Sequence, residues 1–104
     1  IILQNSKEAF EERTIQRPEL KISLYSKDGF AFVEIFDNAG GCEESILGKI
    51  FEPFFGTKQS STGSGLYLAK IIVEQQMNGF ISAKNDSSGL SVIIGLPEYY
   101  MSSR

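Results

Sequence analysis

The sequence predicts an α/β chain of the α+β kind, a two-layer sandwich in which a mixed β-sheet carries helices on one face. Three observations predict it. Apolar residues recur at helical spacing in IILQNSKEAFEER and again in LYLAKIIVEQQM. Four shorter segments, LKISLYS, FAFVEIF, FISAKN and LSVIIGL, read as strands and fall into two pairs, each joined by a turn signal. The order helix, two strands, short helix, loop, helix, two strands then leaves two hairpins for one sheet and helices to cover one side.

In the first helix a rotation of about 100° per residue gathers Ile2, Leu3, Ser6, Ala9 and Phe10 on one face. Asn5, Glu8 and Glu12 lie along its flank. Pro18 breaks the pattern, and Leu20, Ile22 and Leu24 then alternate with polar residues, as in a half-buried strand. Asp28-Gly29 signals a hairpin turn. The next strand is rich in β-branched and aromatic residues and ends at Asp37. A short helix is expected from Glu43 to Ile50, with Glu43 and Glu44 in the first turn, and Pro53 stops it. FEPFFGTKQSSTGSG reads as a loop. Leu66, Ala69, Val73 and Met77 form the buried stripe of the next helix, with Leu68 and Ile72 widening it, until Asn78-Gly79 ends it. The last two strands are separated by a turn from Asp86 to Gly89.

Composition sets the class. With 104 residues, 41% hydrophobic and 22% charged, the chain is expected to form one domain over residues 1–104. A chain of this length buries roughly two-thirds of its unfolded surface. Its net charge is -3 and its Lys and Arg are scattered, so no nucleic-acid surface is indicated. It has no apolar run near the ~18 residues that suggest a membrane span. Cys42 is the lone cysteine, which fits a reducing, cytoplasmic setting. There is no histidine, so imidazole chemistry has no source within these residues.

Chemistry concentrates between Asp37 and Lys70. TGSGL is a glycine-rich loop opening a helix, where unpaired N–H groups and the helix dipole favour a phosphate; Gly-Ser-Gly is equally an ordinary flexible loop. It is no P-loop, because no Gly-Lys-Ser/Thr follows and Lys70 lies too far into the helix. Nor is it a dinucleotide fingerprint, which needs a third glycine and a preceding strand. Asp37 reads either as a structural turn residue or as a carboxylate that accepts a hydrogen bond from an exocyclic amine, with Gly40 and Gly41 letting a flat base approach the backbone. Asn5 reads either as a solvated helix-flank amide or as an oxygen ligand for Mg²⁺.

In order, NSKEAF, DNAGG, FEPFFGTK and TGSGLYLAK resemble the N box, first glycine box, phenylalanine box and second glycine box of the histidine-kinase ATP-binding domain. That domain has the Bergerat fold, shared with gyrase, the Hsp90 chaperones and the MutL proteins. The resemblance covers nearly the whole chain, and FEPFFGTK is its most specific piece. It implies that Asn5 ligates Mg²⁺, that Asp37 holds the adenine amino group, and that Gly41 lies against the base. It also implies that Thr62, Gly63, Gly65 and Leu66 belong to the segment that receives the phosphates of ATP. Gln59 to Thr62 resembles a short mobile lid, with Thr57 and Lys58 beside it and Phe51, Phe54 and Phe55 anchoring it. The three phenylalanines also serve as core aromatics.

The departures are Ala39 and Ser61 at usual glycine positions and Gly56 at a usual threonine. Ala39 is expected to narrow the conformational range of its loop. Ile1 stands where the hydrolysing branches carry a water-activating Glu, so slow direct hydrolysis is expected, and Glu8 reads as a solvated helix carboxylate rather than its substitute. The resemblance thus implies a protein-histidine kinase catalytic domain with no catalytic side chain of its own. It would hold Mg-ATP while the γ-phosphoryl passes to a histidine on a separate dimerisation domain and then to a response-regulator receiver domain. The family's strand and helical lead-in ahead of the N box have no counterpart, which is expected to leave a sheet edge open to self-association. The competing readings are a docking module without turnover, and a hydrolysing ATPase or serine kinase of the same fold.

Overall fold

The computed structural model describes residues 2–53, 65–86 and 89–98, apart from the side chains of Gln4, Asn5, Ala9, Glu12 and Arg13. Helix α1 spans Ile2–Arg13. Thr14, at φ 52°, takes the left-handed conformation that ends it, and the Ile15 N–H closes the end on the Phe10 carbonyl at 3.3 Å. Strands β1 (Leu20–Lys27) and β2 (Phe30–Asp37) form a hairpin in unbroken register from Leu20 opposite Asp37 to Lys27 opposite Phe30. Its two turn residues both have positive φ, 54° at Asp28 and 83° at Gly29, the type I′ pattern that matches strand twist.

The short helix α2 covers Glu44–Leu47, less than the expected span to Ile50. Successive three-residue turns, Lys49 N–H to Ile46 carbonyl and Glu52 N–H to Lys49 carbonyl, replace its second half. Helix α3 (Gly65–Ile71) continues as a π-helical turn over Ile72–Gln76. Asn78 at φ 57° and the Gly79 N–H bonded back to the Val73 carbonyl at 2.9 Å form the stop that Asn-Gly announces. Strands β3 (Phe80–Asp86) and β4 (Gly89–Pro97) pair as the second hairpin.

The sheet order is β1-β2-β4-β3. Among the described residues every pairing is antiparallel, which corrects the expected mixed sheet. The reason is topological. β2 and β3 run in the same direction, but β4 inserts between them, so the parallel pair is split and never bonded.

Alternation assigns Ile81 and Ala83, with Leu90, Val92, Ile94 and Leu96, to the side of the sheet that meets the helices. There Ile81, Val92 and Leu96 join Ala69 and Val73 in the buried core, with Ile2, Phe51 and Met77 packed against it. Helices on one face is therefore the observed arrangement. On the opposite face Tyr25, Phe30, Phe32 and Phe80 form a chain of ring contacts, the closest being Tyr25 stacked on Phe32 at 5.1 Å.

Three apolar expectations are corrected. Leu20, Ile22 and Leu24 lie on the helix side, opposite Asp37, Ile35 and Val33, yet Leu24 is 76% exposed, because β1 is an edge strand that no described residue covers. Leu68 and Leu3 are also exposed, since the helices turn narrower stripes to the core than their apolar content allows.

Candidate functional site

β2, a central strand, delivers Asp37 to the edge of the helix layer, and three sets of contacts hold the glycine-containing loop from Asn38 to Cys42. Asp37 is buried at 8% exposure. Its Oδ2 accepts the Ser6 hydroxyl of α1 at 2.8 Å, and its Oδ1 accepts the Ala39 N–H at 3.1 Å. A carboxylate offers about four acceptor positions, and these two bonds from described residues take up two of them.

Asn38 is tied to the segment before β1. Its Oδ1 accepts the Glu19 N–H at 2.7 Å, and its Nδ2 donates to the Arg17 carbonyl at 2.9 Å. Beyond Ala39, Gly40 and Gly41 have φ 98° and 68°, the left-handed region that favours glycine. Ala39 has no such requirement. It is buried and absent from the residues with positive φ, so an alanine fits and the expected narrowing of the loop concerns a freedom this backbone does not use.

Asn85, at the end of β3, closes the far side of the loop. Its Oδ1 accepts the Cys42 N–H at 3.0 Å, while Nδ2 donates to the Cys42 carbonyl at 2.7 Å and to Glu44 Oε2 at 2.9 Å. A Cβ at Gly41 would fall 2.5 Å from that same Oδ1 and 2.9 Å from the Gly89 carbonyl oxygen. Gly89 in turn lies against the Asp37 carbonyl with no room for a side chain. Both glycines are thus needed for packing of the chain on itself.

Of the other predicted site residues, Asn5 lies in α1 directly before Ser6, so the Ser6 bond docks its turn of helix beside Asp37. Gly65 opens α3 and Leu66 is next, half-buried. Phe51 packs on the core. Lys70 of α3 pairs with Glu74 of the π-helical turn at 2.9 Å. Phe54, Phe55, Gly56, Thr57, Lys58, Gln59, Ser61, Thr62 and Gly63 lie outside the described residues. Sequence reasoning missed the supporting role of Ser6, Asn38 and Asn85. Only Ser6 carried a signal, a hydroxyl on the apolar face of a helix, which must find a buried partner.

A buried carboxylate at a strand end and a glycine loop beside it are parts that the boxes implied. The matching family model, the histidine kinase-, DNA gyrase B- and HSP90-like ATPases, takes in residues 1–100. The chain belongs to that family. Its ATP-binding fold is the one built here from two hairpins and a helix layer. Among curated relatives, the two-component sensor PprA of Pseudomonas aeruginosa is 37% identical over 83 residues, 79% of this chain and 9% of its own length. Sporulation kinase D of Bacillus subtilis is 32% identical over 97 residues, 93% of this chain and 19% of its own. This ATPase-family chain thus spans a small part of the curated relatives it matches. The nucleotide-free catalytic domain of the histidine kinase ThkA superposes with a TM-score of 0.74 at 27% identity, over 92% of this chain and 64% of the other.

Proposed function

We propose that this chain binds Mg-ATP and acts in the cytoplasm as the catalytic domain of a sensor histidine kinase, donating the γ-phosphoryl to a histidine on a separate dimerisation domain. A response-regulator receiver domain is then the next acceptor. The observation that carries the reading is the Asp37 carboxylate, buried, fixed through both oxygens and left with acceptor capacity by these two bonds. An adenine amino group fits that capacity, whereas the carbonyl of guanine would meet a negative charge. The likeness of TGSGLYLAK to the second glycine box makes Gly65 and Leu66, the first described residues of α3, candidate backbone donors for the phosphates.

Magnesium suits the donors present. Among the described residues no three Asp, Glu, Cys or His side chains gather as a protein cage. Mg²⁺ in phosphoryl-transfer sites takes one or two protein ligands and fills its octahedron with phosphate oxygens and water, so the single amide oxygen of Asn5 is a sufficient protein share. When bound, the ion would neutralise charge on the β- and γ-phosphates. The chain's own residues orient the base through Asp37 and the phosphates through the start of α3. Transfer of this kind rests on positioning and charge stabilisation rather than on a protein nucleophile. With no histidine in the sequence, the acceptor lies outside these 104 residues.

The test is a calorimetric titration with a non-hydrolysable ATP analogue, with and without Mg²⁺, and then addition of a histidine-bearing dimerisation domain in trans. Saturable one-site binding strengthened by Mg²⁺, lost in adenine selectivity in Asp37→Asn and in metal dependence in Asn5→Ala, is the expected result. A folded chain that binds no nucleotide would instead be a docking module.

A further inference from the structure

We propose that Asn85 is a positioning residue for adenine: its side chain holds the Asn38–Cys42 loop in the shape that admits the base. This rests on the reading of Asp37 as the adenine acceptor. The loop contains two consecutive left-handed glycines, the residues with the most backbone freedom to lose on ordering. Its first half is held by Ser6 through Asp37 and by Asn38 through residues 17 and 19. Asn85 holds its second half, with an amide that bonds both the N–H and the carbonyl of Cys42, as a neighbouring strand would.

The same amide fills the space beside Gly41, so the path of the glycine backbone is set against it. Its third bond, to Glu44 Oε2, joins the start of α2 to the clamp. Three elements, the loop, α2 and β3, therefore meet at one side chain. A loop fixed before the ligand arrives loses no freedom on binding, and that saved entropy appears as affinity. The phosphate end of the nucleotide meets α3 and does not use this clamp. Asn85 should therefore act on the base and leave the phosphates alone.

The experiment measures ATP and GTP dissociation constants by calorimetry for the unaltered chain, Asn85→Ala, Asn85→Asp and Asn85→Asp with Glu44→Gln, with circular dichroism to establish folding. Asn85→Ala is expected to weaken ATP by about tenfold or more while changing GTP less than about twofold. Asn85→Asp keeps the acceptor for the Cys42 N–H but sets a carboxylate against the Cys42 carbonyl and Glu44. Adding Glu44→Gln returns a donor, so the double variant should recover part of the ATP affinity, a coupling that simple damage to the fold would not produce. If Asn85→Ala does not fold, Asn85→Ser carries the same comparison. Unchanged ATP binding in a folded variant, an equal loss for ATP and GTP, or no recovery in the double variant overturns the assignment of Asn85 alone. An unaltered chain that does not prefer ATP over GTP overturns the adenine reading of Asp37 and this inference together.

Discussion

Asp37 shows at the residue scale how one side chain can serve fold and site together. Its two accepted hydrogen bonds join α1 to β2 and start the glycine loop, so the group proposed to meet adenine is also a tie between layers. Ser6, itself buried, is the weak point of that arrangement. Ser6→Ala removes the donor at 2.8 Å and leaves a buried carboxylate oxygen short of a partner, at a cost of about 1–3 kcal/mol. Urea unfolding should show that loss as a lower midpoint with an unchanged slope, and under the proposed function calorimetry should show weaker ATP binding, because the helical turn that carries Asn5, the proposed Mg²⁺ ligand, loses its tie to Asp37. A variant with the stability and affinity of the unaltered protein would mean that the Ser6 contact contributes nothing.

At the scale of elements, the two hairpins contribute unequally. Ile22 and Ile35 are cross-strand partners of the same residue type on the same side of the sheet, but Ile22 is 55% exposed and Ile35 only 9%. Burial therefore separates them cleanly. Ile35→Ala should cost about 2–4 kcal/mol by lost burial and a residual cavity, while Ile22→Ala should cost under about 1 kcal/mol. Equal losses in chemical denaturation would show that β1 is covered in solution. The alternation in LKISLYS announced a strand correctly, and the Asp-Gly turn fixed its partner and register. What alternation does not contain is whether a helix lies above a given strand, so the half-buried reading of β1 failed on tertiary placement alone.

For the whole molecule, the open side is the β1 edge of the β1-β2-β4-β3 sheet. β1 is eight residues long, has no proline and keeps continuous register with β2, so it lacks most devices that blunt an edge, although Lys21 and Lys27 sit on it. Concentration-dependent association of the isolated chain is expected, and Leu24→Lys should reduce it, as measured by light scattering across a dilution series. Scattering that is the same in both proteins would place any association elsewhere. The opposite edge, β3, is shorter and alternates exposed with more buried positions, with Ile81 in the core.

The local elements, both hairpins, the helix stop at Asn78 and the family were all legible in the order of residues, because periodicity, turn chemistry and the four boxes are properties of chain neighbours. Asp37 and the glycines beyond it were legible for the same reason, since a carboxylate and two glycines at a strand end form a short contiguous pattern. The separation of β2 from β3 by β4, the uncovered face of β1 and the hold of Ser6 and Asn85 on the loop emerged only once the layers were assembled. Those contacts join residues 31 and 43 positions apart, and long-range contacts of that kind depend on how the layers stack rather than on any local signal.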